Sequence, residues 1–344
     1  MAAQSVIDSA REAAKAIAAG ELLAFPTETV YGLGADACND AAVAKIFTAK
    51  GRPADHPLIV HVANAQAAAH FAAEMPEFAQ RLIDAFWPGP LSVIVRRKSG
   101  VAAASAGGQD SIGLRCPAHP LAGELLFECA KLGVHGIAAP SANRFGKVSP
   151  TTAAHVIAEF AGSIPVMDGG ACSVGIESTI IDCTRGAPVL LRPGVLTSAQ
   201  LEAAMGQRLL LNDERSAQEI QGSEAENASK ILAQPAPRAS GTLESHYAPA
   251  APLRLMDAKA LQTALDLLGA DAKNIAVYAR ALLKPQSSHI LMRRMPDDAL
   301  AAAQQLFAVL RDFDAQNVRL IWVEAVPPGA AWDGVRDRLQ RAAA

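Results

Sequence analysis

Helical and extended patterns alternate along residues 1–206, give way to a polar stretch over 207–250, and resume over 251–344. Strands and helices in mixed order bury their apolar faces as a sheet with helices packed on it. The polar break divides that α/β arrangement into two bodies. In the first, the spacing predicts helices over 4–19, 41–49, 119–132, 151–160 and 197–205. Strands are predicted over 22–25, 58–62, 91–96, 112–115, 137–139, 164–167, 179–183 and 189–191. Gly20 and Gly133 stand where helices stop, Asn39 or Asp40 starts the second, and Thr197 with Gln200 forms a capping box. The stretch 207–250 holds Gln234-Pro-Ala-Pro237 and Ser240-Gly241 and reads as a linker with one short helix near 228–232. In the last body, strands over 252–256, 274–278, 289–293 and 318–323 alternate with helices over 258–268, from Pro296 to about Asp314, and over 330–341. That pattern predicts a small β-α-β domain with a mostly parallel sheet.

Charge narrows the function. The chain of 344 residues has 31 basic and 34 acidic groups, a formal charge of −3. A broad basic surface for non-specific nucleic-acid binding is excluded, whereas a local cationic pocket is not. There is no apolar run of transmembrane length. The first twenty residues carry Asp8, Arg11, Glu12 and Lys15, which leaves no signal-peptide core. The cysteines are Cys38, Cys116, Cys129, Cys172 and Cys183, odd in number and without metal-site spacing, so reduced thiols in a cytoplasmic protein are expected. Phosphate-loop, nucleophile-elbow and zinc-protease motifs are missing.

Five polar clusters stand at strand ends or in the loops beside them, where open α/β sheets bind ligands. They are Phe25-Pro-Thr-Glu-Thr-Val-Tyr-Gly-Leu-Gly34, Lys50-Gly-Arg-Pro-Ala-Asp-His-Pro-Leu-Ile-Val-His61, Ser111-Ile-Gly-Leu-Arg-Cys-Pro117, the loop from Ala139 to Ser149, and Asp168-Gly-Gly170 with Gly175 to Asp182, followed by Leu191-Arg-Pro-Gly194. Each has a plain structural reading. Lys50 and Arg52 suit a helix C-terminus, and a lone strand-end histidine such as His61 is commonly a core group. Together they offer Lys50, Arg52, Arg115, Arg144, Lys147 and Arg192 with few carboxylates, chiefly Glu28 and Glu177. That balance suits a negatively charged ligand such as a nucleoside triphosphate.

The blocks Phe25–Gly34, Lys50–His61, Pro140-Ser-Ala-Asn143, Glu177-Ser-Thr-Ile180 and Leu191-Arg-Pro-Gly194 resemble the signature of the YrdC-like domain. With Ser245-His-Tyr-Ala-Pro249 and the domain that follows, the chain resembles the long, two-domain form of the threonylcarbamoyl-AMP synthase family. The resemblance implies a twisted mixed sheet with a concave cationic face over 1–206, and a small Rossmann-like α/β domain over 251–344. It implies synthesis of L-threonylcarbamoyladenylate from L-threonine, bicarbonate and ATP for the t6A modification of tRNA. Lys50 and Arg52 are the expected catalytic residues. ATP is assigned to Arg52, His56, Ser111, Ser141, Asn143, Ser149, Arg192 and Tyr247. L-threonine is assigned to Thr29, His61, Arg115, Ala139 and Ser178. Mg²⁺ is expected on the phosphates, without a protein cage. The expected partners include tRNA and the downstream threonylcarbamoyl transferase, and no membrane. Two positions depart from the family pattern: 240–246 reads Ser-Gly-Thr-Leu-Glu-Ser-His where the family has Ser-Pro-Gly-Met before its His-Tyr pair, and position 56 is His where Asn is common. The alternatives are a double-stranded RNA-binding module without ATP chemistry and a carbamoyltransferase of the hydrogenase-maturation type. The latter carries zinc-finger modules for which this chain has no cysteine pairs.

Overall fold

The structure, a computed structural model, describes residues 6–212, 223–243 and 245–344. The first sheet comprises β1 (Leu23–Phe25), β2 (Gly32–Asp36), β3 (Ile59–His61), β4 (Leu91–Arg96), β5 (Ser111–Arg115), β6 (Ile137–Ala138), β7 (Thr179–Asp182), β8 (Val189–Arg192) and β9 (Leu210–Leu211). Among the described residues its order is β1-β2-β6-β3-β5-β4-β7-β8-β9, with parallel and antiparallel pairs. The mixed sheet therefore brings the ends of β3, β5 and β7, far apart in sequence, close to one another.

Local chemistry sets the helices. They are α1 (Ala10–Ala18), α2 (Asp40–Lys50), α3 (Ala65–Ala68), α4 (Glu77–Phe86), α5 (Pro120–Lys131), α6 (Ala153–Phe160), α7 (Ser198–Met205) and α8 (Ser223–Leu232). Side chains of Ser9, Asn39 and Thr152 accept from the first-turn amides, and Thr197 with Gln200 closes the expected capping box. The first helix starts later than expected because Ser9 caps it and Val6 is drawn into a bridge with Val166.

Three sequence expectations need correction. Residues 164–167 do not form a strand. Val166 makes isolated bridges with Val6 and Ala24, and Pro165 before it has no N–H to extend a ladder. β2 falls where the sequence predicts no strand, because Gly32 and Gly34 are poor strand formers. Gly34 is there for space: a Cβ on it would stand 2.7 Å from Ile137 Cγ2 and 2.9 Å from Phe25 Cε1. α4 was not foreseen, although Ala79, Leu82 and Ile83 line its buried face at helical spacing.

Part of the polar stretch joins the first sheet. β9 pairs with β8, and Ala228 and Ile231 of α8 pack with Val189 and Leu210. The second sheet comprises β10 (Leu253–Met256), β11 (Ile275–Ala279), β12 (Leu291–Arg294) and β13 (Leu320–Glu324), in the order β10-β13-β11-β12, and is wholly parallel. Its helices are α9 (Ala258–Leu268), α10 (Ala299–Ala315) and α11 (Asp333–Ala343). Asp298, not Pro296, starts α10, by accepting from Ala301 N. Trp332, Val335 and Leu339 pack in one buried cluster with Val30, Val148 and Ile176 of the first body. Gly334 lies so close that a Cβ on it would be 2.4 Å from Gly194 O. Among the described residues no helix is long and apolar enough to cross a membrane.

Candidate active site

A cavity opens at the ends of β3, β5 and β8 and is roofed by the polar stretch, with Ser240, Gly241, His246 and Tyr247 in its wall. Three arginines reach it. α2 stops at Gly51, whose left-handed conformation (φ 63°) turns the chain and delivers Arg52. Arg52 Nη2 donates to Pro57 O at 2.9 Å and Ser240 Oγ at 3.1 Å. β5 ends on Arg115, whose Nη2 donates to Glu28 Oε1 at 2.7 Å. β8 ends on Arg192, which donates through Nε and Nη2 to Ser178 O and through Nη1 to Ser240 O at 2.8 Å.

All three guanidinium groups are at most 7% exposed. Among the described residues, Arg115 pairs with Glu28, whereas Arg52 and Arg192 have no carboxylate within ion-pair distance. A buried cation without a counter-ion is costly, and burial, reinforced by the Arg192 charge, pulls the Arg52 guanidinium down to about 10. Among the described residues, Arg52 Nε, Arg115 Nε, His61 Nδ1 and the Tyr247 hydroxyl are buried without a hydrogen-bond partner. Unpartnered donors around an unneutralised positive charge make a receptor for an anionic, hydrogen-bonding ligand.

Residues 15–194 match the family profile described as "Telomere recombination", and residues 196–344 match "Threonylcarbamoyl-AMP synthase, C-terminal domain". The threonylcarbamoyl-AMP synthase of Pyrococcus abyssi is 37% identical over 339 residues, covering 96% of this chain and 93% of that one. The chain belongs to the threonylcarbamoyl-AMP synthase family. The Bacillus subtilis member is 35% identical over 340 residues, covering 96% and 92% of the two chains. The crystal structure of P. abyssi Sua5 complexed with L-threonine is similar with a TM-score of 0.82 and 35% identity, covering 98% of this chain and 97% of that one.

Within this family fold, the residues singled out from the sequence fall into two groups. Arg52, His61, Arg115, Ala139, Ser141, Ser178, Arg192 and Tyr247 line the cavity. Ser111 lines an adjoining cleft that shares Ile59 and Ser240 with it. The others do not line the cavity. Lys50 is buried, and its ammonium donates to the Ser141 and Asn143 carbonyls, so it braces the loop after β6. Burial, with the Arg52 charge next, pushes its pKa well below the usual ammonium range. Asn143 donates to Arg144 O and Lys147 O within the same loop. Ser149 donates to Glu177 Oε1, and His56 stands edge-on to Phe145 with ring centroids 5.4 Å apart. Thr29 is fully buried. Thr27 lines the cavity in its place, its hydroxyl accepting from the amides of Thr29 and Val30. Sequence reasoning also passed over Glu177 and His246 as lining residues. The His-Tyr pair was the available signal for His246, and the Glu177-Ser178 pair for Glu177.

Burial, with Arg115 adding to it, holds the His61 imidazole down to about 3, and burial holds His246 at about 3 and His155 at about 4. In an unfolded chain each titrates near 6.5. Below that pH the unfolded chain takes up protons that the folded one refuses, so their contribution is constant above about 6.5 and stability falls as the pH drops toward 4. Each histidine can contribute a slope of up to about 1.4 kcal/mol per pH unit in that window. Denaturant midpoints should therefore fall between about pH 7 and pH 5, and identical midpoints would contradict buried neutral imidazoles.

Proposed function

We propose that this chain is a nucleotidyltransferase that makes L-threonylcarbamoyladenylate from L-threonine, bicarbonate and ATP, releasing pyrophosphate. The observation that carries the reading is the convergence of Arg52, Arg115 and Arg192 on one cavity, two of them without a carboxylate partner among the described residues. It occurs in a family with a member solved in complex with L-threonine.

The threonine amine attacks the bicarbonate carbon, and water leaves to give a carbamate. A carbamate oxygen then attacks the α-phosphorus of ATP, the bond to the β-phosphate breaks, and pyrophosphate departs. No covalent enzyme nucleophile is required. The work of the protein is positioning and stabilisation of charge. Arg52 and Arg192 would exchange their contacts with Ser240 for phosphate oxygens. Arg115 keeps its Nε for the threonine carboxylate while Glu28 holds the other end of its fork. His61, neutral and buried, accepts or donates without changing the charge of the site. Ser178 and Ala139 border the amino-acid end of the cavity, and Lys50 stiffens the loop carrying Ser141. Tyr247 covers the nucleotide. Mg²⁺ would ride on the triphosphate. The nearby carboxylates Glu28 and Glu177 are committed to Arg115 and Arg338, so the phosphates supply its ligands. The product would pass to a threonylcarbamoyl transferase acting on tRNA, in the cytoplasm.

Purified protein with Mg²⁺ should release pyrophosphate from ATP when both threonine and bicarbonate are supplied. Omitting either should reduce release to background. Release that ignores threonine would overturn the reading.

A further inference from the structure

We infer that Arg338, carried by α11 of the second domain, is a positioning residue for the first domain's site: it neutralises Glu177 and so keeps Arg192 free for an anionic substrate. The inference rests on the proposed reading of the cavity and adds a task for the second domain.

Arg338 is 0% exposed, and its fork is fully used. Nε donates to Glu177 Oε2 at 2.8 Å and Nη2 to Glu177 O at 3.1 Å, while Nη1 donates to Pro193 O and Asp337 Oδ2, both at 2.8 Å. Glu177 and Pro193 directly flank Ser178 and Arg192, the two residues hydrogen-bonded to each other in the cavity wall. One guanidinium from the other domain therefore clamps both segments that carry that pair. The second Glu177 oxygen accepts from Ser149, whose own carbonyl, with that of Val148, accepts from Arg311 of α10. The guanidinium carbon of Arg338 also lies 5.3 Å from the centroid of the Tyr247 ring, beneath the roof of the site. The close contact of Gly334 with Gly194 fixes the height of α11 over this loop.

The charge argument decides what the clamp does. Glu177 lines the cavity that Arg192 enters, and both arginines act on its carboxylate. While Arg338 satisfies Glu177, Arg192 has no carboxylate partner among the described residues. Without Arg338, Arg192 is the remaining arginine that acts on the Glu177 carboxylate, and it would then be lost to the substrate.

The test uses the full chain and initial rates of pyrophosphate release. In Arg338→Gln the KM for ATP should rise about tenfold or more while the KM for threonine changes less than about threefold. As the pH falls, kcat/KM for ATP in Arg338→Gln should recover toward wild type, because Glu177 has lost the arginine that lowers its pKa and its protonation releases Arg192. Adding Glu177→Gln to that variant removes the stray carboxylate and should recover most of the ATP affinity, which repair of a purely structural contact would not do. Arg338→Lys, which keeps the charge without the fork, should fall between wild type and Arg338→Gln; it and the double variant carry the test if Arg338→Gln does not fold. An unchanged KM for ATP with an unmoved pH profile in Arg338→Gln and Arg338→Lys overturns the inference. So does a double variant no better than Arg338→Gln. Wild-type protein without threonine-dependent release would instead sink the reading of the site.

Discussion

Arg52→Ala is expected to lower kcat/KM for ATP by about a hundredfold to a thousandfold, the loss seen when one preorganised donor is removed from a charge-stabilising site. The fold should survive. The Arg52 side chain donates to one carbonyl, of Pro57, and one hydroxyl, of Ser240, both in loops at the edge of the cavity. Removing a buried guanidinium that has no counter-ion among the described residues also relieves a desolvation cost, so the net change in stability should stay within about 1 kcal/mol. Arg52→Lys should recover little, because a point charge cannot bridge two phosphate oxygens as the planar fork does. Steady-state kinetics beside a denaturant melt separates the two effects. An alanine variant that turns over ATP at the wild-type rate would remove Arg52 from the mechanism.

Arg115→Met should have a double effect. It strips Glu28 of the guanidinium that faces it at 2.7 Å, leaving a carboxylate that is 8% exposed with the Ala118 amide, at 3.0 Å, as its remaining hydrogen-bond donor. Breaking one side of a buried ion pair typically costs about 3–5 kcal/mol. The same change removes the donor proposed for the threonine carboxylate, so the KM for threonine should rise at least about tenfold. Combining it with Glu28→Gln uncouples the two effects. The double variant should regain most of the stability, since no lone charge stays buried, but not the threonine affinity. If it also regains the affinity, Arg115 does not hold the amino acid. If Arg115→Met alone melts like wild type, the pair with Glu28 contributes nothing to the fold.

What was legible in the sequence was what local chemistry decides. The caps at Asn39 and Thr197 act within three residues of themselves, so their helices could be read one at a time. The cations that end strands could be read as cavity residues for the same reason: Arg115 and Arg192 close β5 and β8, and each strand aims its last side chain at the end of the sheet. What escaped depends on distant partners. β2 is a strand because it pairs with β1 and β6, with Phe25 and Ile137 packed against Gly34, which its own residues do not announce. The choice of Thr27 over Thr29 for the cavity wall is made by a tight turn in which one hydroxyl caps two amides. The placement of Lys50 off the cavity lining is set by carbonyls 91 and 93 residues away.

The bond between Glu177 and Arg338 spans 161 residues. At the usual pace of synthesis, about 5–20 residues per second, Glu177 emerges from the ribosome roughly eight to thirty seconds before the arginine that neutralises it. During that interval the nascent domain can form its sheet and enclose its core while one acidic group in the cavity wall still lacks its counter-ion. The ATP affinity that the Arg338 clamp is proposed to protect would then be gained late, when the last helix seats against Gly194.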